Sequence, residues 1–212
     1  MDAFAPLRKA KNRLFTMRGR QAKPASARFN LLKTLGQSLL MWVVFLSIGP
    51  FVTFQIEEFF GLDRFRFAFQ FQILLGVTLF IGGWIVAWAS AYFMVTRGDG
   101  TPLPVDATRR LVVVGPYRYV RNPMAFASLC QGAAIGLMAG SPLILVYIAV
   151  GALMWNYGAR PWEEHDLEAK FGADYAHYKR EVRCWTPRLR PYSPPDSISH
   201  HVLSSHPTIT AK

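Results

Sequence analysis

The sequence predicts an all-α, polytopic membrane bundle of about four spans, the last two forming a short hairpin, followed by cytosolic amphipathic helices near the carboxyl end. Two observations carry this prediction. The 212 residues are 51% hydrophobic and yet have a formal net charge of +11. The basic residues lie between long apolar runs, which is typical of a multi-spanning membrane protein and argues against a basic nucleic-acid-binding domain. We therefore expect membrane lipids, and no nucleic acid, as partners.

The first segment, residues 1–33, is strongly basic. It holds nine Lys or Arg residues against one acid, Asp2, and has no long apolar run. It suits either an acid-poor targeting peptide or, as we favour, a polybasic cytosolic anchor for anionic lipid headgroups. Residues 34–190 are then expected to form the membrane domain.

Two spans are predicted in the first half of that domain. Residues 35–54 form the first, with Gly49-Pro50 near its far end, where neighbouring helices must satisfy the carbonyl that proline leaves free. Residues 71–95 form the second and are long enough to cross about 30 Å of hydrocarbon. Small residues on one face of this helix suit close packing against another helix; they are Gly76, Gly82, Gly83, Ala87 and Ala91.

Two shorter apolar runs, residues 124–139 and 143–158, are joined by the turn Gly140-Ser141-Pro142. The tight joint predicts an antiparallel helical hairpin. Gln131 lies inside the first run. An intramembrane amide of this kind usually pairs with a neighbouring helix, which is our default interpretation, and a cofactor contact is the alternative.

The charges of the connectors predict the orientation. Residues 1–33 and 96–123 are basic, whereas residues 55–69 are slightly acidic and the turn at residues 140–142 is uncharged. The excess of Lys and Arg on cytoplasmic loops therefore predicts that both termini are cytosolic, in an inner or plasma membrane.

The region after the last span is predicted to be amphipathic and helical. Residues 160–172 start with Pro161 near the first turn and stop at Gly172, and residues 174–182 repeat the aromatic and apolar spacing. After residue 191 the composition predicts a disordered tail, residues 191–212. Its histidines, and the isolated Cys130 and Cys184, show no metal-ligand spacing, so we expect no metal site.

The loop at residues 115–123 is the first part of a candidate site. It places two arginines and two tyrosines directly before a predicted membrane helix, and the acidic pair Glu163-Glu164 follows about forty residues later. Arg and Tyr collect at bilayer interfaces as simple anchors. The same side chains can also bind a charged small molecule, so both interpretations stand at this point.

Two motifs carry a resemblance to a known family. Gly-x-Tyr-x-x-x-Arg-x-Pro occupies residues 115–123, and Glu-Glu-x-x-Leu-x-x-x-Phe-Gly-x-x-Tyr-x-x-Tyr begins at Glu163, followed by Val182-Arg183 and Pro187. In this order and spacing, over about residues 105–190, the chain resembles the isoprenylcysteine carboxyl methyltransferase family and its phospholipid methyltransferase relatives.

The resemblance implies S-adenosylmethionine, bound on the cytosolic side between the loop, the hairpin and the carboxyl-terminal helices. The residues that it places at the cofactor are Leu111, Val112, Tyr117, Arg121, Asn122, Pro123, Met124, Glu163 and Glu164. Asn122 and Ala125 depart from the family, in which many members have His and Tyr at these positions.

The chemistry of the cofactor suits these residue types. Its carboxylate needs a cation, which Arg121 supplies, and its ammonium and sulfonium need carboxylates or aromatic faces. Methyl transfer requires alignment of nucleophile, methyl and sulfur with water excluded. A carboxylate or thiolate acceptor needs no base, whereas an amine or alcohol does, and Glu164 or His165 is then the nearest candidate. Arg160 can orient an acidic headgroup or simply reach the interface.

These observations predict an integral-membrane, S-adenosylmethionine-dependent methyltransferase acting on a lipophilic or lipidated acceptor, isoprenylcysteine carboxylate-like or phospholipid-like. The alternative is a non-catalytic membrane scaffold or lipid-binding protein on the same fold, for which Asn122 and Ala125 are the support. The sequence leaves the acceptor group open among a carboxylate, an amine, a phenol and a thiol.

Overall fold

A computed structural model describes residues 27–98, 108 and 110–195 of the chain. Within these residues all regular secondary structure is helical, which confirms the predicted all-α class. Three helices are long and apolar enough to cross a membrane, Leu32–Phe59, Gln72–Gly98 and Pro142–Glu181, and Pro123–Ala139 is a shorter apolar helix. Most of the basic first segment and of the predicted tail lies outside the described residues.

The first span is one helix with a wider turn in the middle. Helix α1 (Ala27–Trp42) passes through a π-helical turn (Val43–Ile48) into α2 (Gly49–Phe59). In the π turn the carbonyl of Phe45 accepts a hydrogen bond from the hydroxyl of Tyr147, 3.3 Å away, on the last span. A neighbouring helix thus provides a hydrogen bond to a backbone carbonyl near Gly49-Pro50, as the sequence led us to expect.

Helix α3 (Gln72–Gly98) packs closely on α4 (Pro123–Ala139) through the predicted small residues. A Cβ added to Gly83 would lie 3.0 Å from both the carbonyl oxygen of Ala127 and Cγ of Gln131. Gly82 is the exception, since a Cβ built there would meet no other helix of the described chain within 4 Å. Gln131 is fully buried, but neither of its amide atoms has a hydrogen-bond partner in the described part of the chain, so the expected bond to a neighbouring helix is not formed.

The predicted hairpin is present. Gly140, which has a left-handed φ of 62°, follows the last residue of α4 and caps it. The side chain of Ser141 caps α5 (Pro142–Met154) by accepting from the backbone N–H of Ile144. The helix does not start afresh at Pro161. A π turn (Trp155–Ala159) leads directly into α6 (Arg160–Glu181), and its wider spacing carries the chain past the proline.

The predicted break at Gly172 is present inside α6, where φ and ψ are 52° and −126°. The apolar residues of the last helix end near Ala159, and charged residues dominate from Arg160 onward. The part of this helix that crosses hydrocarbon is therefore residues 142–159, and α6 lies beyond the bilayer core.

A buried ion pair, which the sequence did not reveal, ties the connector after α2 to the hairpin turn. The carboxylate of Glu57 is 1% exposed; its Oε2 lies 2.9 Å from Nε of Arg66 and its Oε1 accepts from the hydroxyl of Ser141 at 2.9 Å. The Arg66 guanidinium also stacks over the ring of Phe54. These contacts fix the end of the bundle opposite the 115–123 loop.

Replacing Gly140 with Ala is expected to lower the free energy of unfolding by more than about 2 kcal/mol. A left-handed conformation costs an L-residue about 1–2 kcal/mol, and the added Cβ would overlap the carbonyl oxygen of Phe67. Thermal unfolding in detergent measures the loss. Gly151→Ala is the matched control, because Gly151 is helical and a Cβ built there would meet no other helix of the described chain within 4 Å. Equal melting temperatures for the two variants would contradict the prediction.

Candidate active site

The 115–123 loop is held tightly against α3. A short 3₁₀ turn (Gly115–Arg118) begins at Gly115, whose φ is 58° and whose Cα faces the ring of Phe93 so closely that a Cβ would overlap it. Tyr117 is 5% exposed, and its hydroxyl lies 3.9 Å from the sulfur of Met94. Burial raises the pKa of Tyr117 well above its ordinary value, so its side chain is neutral and apolar in character.

Asn122 and Pro123 start helix α4. The Oδ1 atom of Asn122 accepts a hydrogen bond from the backbone N–H of Ala125 at 3.0 Å, and proline follows at the first helical position. Both are favoured residue types at these positions. This cap explains why asparagine suits position 122 without any role in proton transfer.

Arg121 joins the loop to helix α6. Its Nη2 lies 2.6 Å from Oε1 of Glu164, and its Nη1 donates to the carbonyl oxygen of Lys179 at 2.8 Å. The side chain is only 6% exposed. The backbone N–H of Arg121 also donates to the carbonyl of Arg183, so main chain and side chain both bind the carboxyl-terminal region.

Glu164 is the centre of a cluster of cations. Besides Arg121, it contacts Nε of Arg160 at 2.8 Å through Oε1 and Nζ of Lys179 at 2.8 Å through Oε2. Burial opposes ionisation of Glu164, but the hydrogen bonds from Lys179 and Arg160 and the charge of Arg121 outweigh it and lower its pKa. Glu164 is therefore a carboxylate at neutral pH and a weak base.

Glu163 has the opposite character. No hydrogen bond or ion pair joins its carboxylate to any described residue, although its neighbour Glu164 has three cationic partners. Burial, and then the negative charge of Glu164, raise the pKa of Glu163 to about 7. The site thus contains one carboxylate with three cationic partners and one with no hydrogen-bond or ion-pair partner among the described residues.

The chain after α6 folds back over the loop. The hydroxyl of Tyr178 donates to the carbonyl of Tyr117 at 2.6 Å, and Nε of Arg118 donates to the carbonyl of Tyr192 at 2.6 Å. Tyr192 is 3% exposed, so ordered packing continues just beyond residue 191. One buried cluster joins these parts; it contains Val113, Tyr175, Tyr178, Val182 and Tyr192, with Leu111, Leu167 and Phe171 packed on it.

The structure brings several predicted residues together and keeps others apart. Arg121 and Arg160 both contact Glu164, and Leu111 packs against the buried cluster that contains Tyr178. Val112 instead is buried near Gly98 at the end of α3, and His165 is exposed. Met124 and Pro123 lie in the first turn of α4, beside Asn122.

Sequence reasoning missed Lys179 and Tyr178 as members of this site. Both follow the break at Gly172, which turns the second half of α6 back toward the loop. The signal was present, because a glycine stop between two aromatic-faced segments predicts a reversal. What the pattern does not give is which face of the second segment meets Glu164.

The fold and this charged cluster define a helical integral-membrane protein whose site lies at one end of the bundle, against the last helix. The family model for phospholipid methyltransferases matches residues 71–174, about half of the chain. The chain belongs to this family of methyltransferases, which confirms the resemblance found in the two motifs. No curated protein and no solved structure matches the chain significantly.

Proposed function

We propose that the protein is a methyltransferase that transfers a methyl group from S-adenosylmethionine to a lipophilic acceptor drawn from the bilayer. The observation that carries the proposal is the contact between Arg121 and Glu164 in a chain of this family. Arg121 lies in the first of the two motifs, and Glu164 lies 43 positions later in the second. Their contact forms a buried charged site beside a membrane span.

The residues present suit the polar groups of S-adenosylmethionine. Three cations, Arg121, Arg160 and Lys179, converge on the carboxylate of Glu164, so the cluster can accept a further anion. We assign Arg121 and Lys179 to the methionyl carboxylate. The unpaired carboxylate of Glu163 suits its ammonium. We propose that the cofactor lies among these residues and the predicted set Leu111, Val112, Tyr117, Arg121, Asn122, Pro123, Met124, Glu163 and Glu164.

The bound cofactor supplies an electrophilic methyl group on a sulfonium. The protein's part is to orient that group and exclude water, and the buried cluster around Tyr117 and Tyr178 serves the second purpose. If the acceptor is an amine or alcohol, Glu164 is a poor base, because three cations hold its carboxylate in the ionised form. The carboxylate of Glu163 is assigned to the ammonium of the cofactor, and pairing with a cation makes a carboxylate a weaker base. Of the two candidates predicted from the sequence, His165 is then left.

The affinity for S-adenosylmethionine is expected to rise by up to about tenfold per pH unit as pH increases toward 7, and then to level off. The ionised form of Glu163 binds the ammonium, and its pKa of about 7 means that protons compete below that pH. Calorimetric titration of the purified protein between about pH 5.5 and 7 measures this dependence.

Glu163→Gln should bind more weakly and lose the pH dependence, while Glu168→Gln, an exposed acid of the same helix, should retain it. The absence of binding by the parent protein at any pH would contradict the proposed function. A pH dependence that survives in Glu163→Gln would contradict only the proposal that Glu163 binds the ammonium.

We further propose that the loop end of the bundle and both termini are cytosolic, as the connector charges predict. A reporter cysteine at Asp63, exposed in the connector between α2 and α3, should react with an impermeant thiol reagent from the non-cytosolic side only. Ser193→Cys, exposed near the other end of the bundle, should react only from the cytosol. The reverse pattern would contradict this topology.

A further inference from the structure

Two tryptophans meet where the last helix leaves the bilayer core. Trp155 lies in the π turn between α5 and α6, and Trp185 lies after α6; their ring centroids are 5.0 Å apart at an interplanar angle of 84°. Neither ring is fully buried. The exposed apolar side chains of Val150, Leu153 and Met154 lead along α5 directly to this pair.

Hydrogen bonds connect the tryptophan pair to the charged cluster. Oδ1 of Asn156 accepts from Nε1 of Trp185 at 2.8 Å and from Nη1 of Arg160 at 2.7 Å. Nε of Arg160 in turn contacts Glu164. The side-chain oxygen of Asn156 therefore fixes the indole of Trp185 and the guanidinium of Arg160 relative to each other. Arg160 is joined by one further hydrogen bond to Glu164 in the proposed cofactor site.

We propose that Trp155, Trp185 and Arg160, positioned by Asn156, form the acceptor-binding subsite of this enzyme, and that it takes the head of an anionic amphiphile. The oxyanion of the ligand, a carboxylate or a phosphate, binds Arg160, whose side chain is 27% exposed. The adjoining apolar carbons pack on the two indoles, and the tail follows α5 into the bilayer. The role of this subsite in methyl transfer rests on the proposed function, whereas the binding of the amphiphile does not.

Tryptophans at a bilayer interface often serve only as anchors. An anchor keeps its indole N–H in the headgroup region, free to bind water and lipid. The N–H of Trp185 is instead committed to Asn156 inside the protein, and a π turn, which commonly occurs at functional sites, places Trp155 against it. This arrangement fixes the orientation of the rings, which binding of a defined head requires and anchoring does not.

Quenching of tryptophan fluorescence tests the binding without turnover. The probes are bromododecanoate and bromododecyl phosphate in micelles of a neutral maltoside, with brominated neutral detergent as the reference. We expect saturable quenching by at least one anionic probe, and the response to each probe distinguishes a carboxylate from a phosphate ligand. In Asn156→Leu and Trp185→Phe the apparent Kd for that probe should rise about tenfold, because each change removes a hydrogen bond of Asn156 that orients the subsite.

Trp84→Phe is the control, because Trp84 is 45% exposed on α3 and forms a comparable edge-on pair with Trp88. It should bind the probe like the parent. Affinity for S-adenosylmethionine should change less than about twofold in all three variants, which shows that the site remains folded. In methyl transfer to a membrane lipid extract, Asn156→Leu and Trp185→Phe should raise the apparent KM for lipid more than they lower kcat.

Equal quenching by neutral and anionic probes, or an unchanged probe Kd in both Asn156→Leu and Trp185→Phe, would overturn the subsite. Parallel loss of S-adenosylmethionine affinity would overturn it as well, since Asn156 would then act on the cofactor side. Failure of the parent protein to bind S-adenosylmethionine would overturn the proposed function instead, and the quenching result would still decide the subsite.

Discussion

Glu164→Gln is expected to remove most of the protein's affinity for S-adenosylmethionine and to lower its free energy of unfolding by about 3 kcal/mol, because breaking a buried ion pair leaves charges uncompensated. Glu164 faces Arg121, Arg160 and Lys179, and the side chain of Arg121 is only 6% exposed. Glutamine preserves the shape but not the charge. Thermal unfolding and calorimetric titration measure the two effects separately.

Glu168→Gln makes the same chemical change four residues along the helix. Glu168 is 43% exposed and contacts only Lys179 among the described cations, so its loss should cost less than about 0.5 kcal/mol. If Glu164→Gln and Glu168→Gln unfold and bind alike, Glu164 is not the centre of the site. Titrations should be made below the melting temperature of each variant, so that weak binding is not confused with unfolding.

Arg121→Lys is expected to lower the affinity for S-adenosylmethionine about tenfold and the free energy of unfolding by about 2 kcal/mol, although the charge is kept. The guanidinium reaches the carboxylate of Glu164 and the carbonyl of Lys179 with two nitrogens at once. The single ammonium of lysine cannot make both contacts in the same geometry. The loop would then be held less firmly to α6.

Arg64→Lys is the control, since Arg64 lies in the connector at the opposite end of the bundle, over the exposed ring of Phe65. It should leave cofactor binding unchanged. If Arg121→Lys binds the cofactor as the parent does, while Arg121→Ala only lowers the amount of protein in the membrane, Arg121 is an interfacial anchor and the assignment of the loop is wrong.

The sequence predicted those features that local patterns determine. The length of the apolar runs predicted the helical bundle, the turn Gly140-Ser141-Pro142 predicted the hairpin, and Gly172 predicted the break in α6. All three predictions are confirmed. The meeting of the loop with the acidic pair was expected from two motifs, and the contact of Arg121 with Glu164 realises it.

Features that depend on tertiary contacts were not predictable in this way. The partners Glu57 and Ser141 are 84 residues apart, and nothing local to either one indicates the other. Tyr192 lies in a Pro-rich segment whose composition resembles disorder, and its position is determined by tertiary contacts, which are packing on Tyr178 and hydrogen bonds to Arg118. The continuity of α5 and α6 past Pro161 depends on a π turn that no periodicity signals.

The most direct test of the central claim is transfer of radiolabelled methyl from S-adenosylmethionine to lipid. The purified protein is incubated with a membrane lipid extract, and label in the organic phase is counted and the product identified by mass spectrometry. We predict incorporation by the parent and by Glu168→Gln, with little or none by Glu164→Gln. Cofactor binding by the parent without any incorporation of label would contradict the account and favour a non-catalytic lipid-binding protein on this fold.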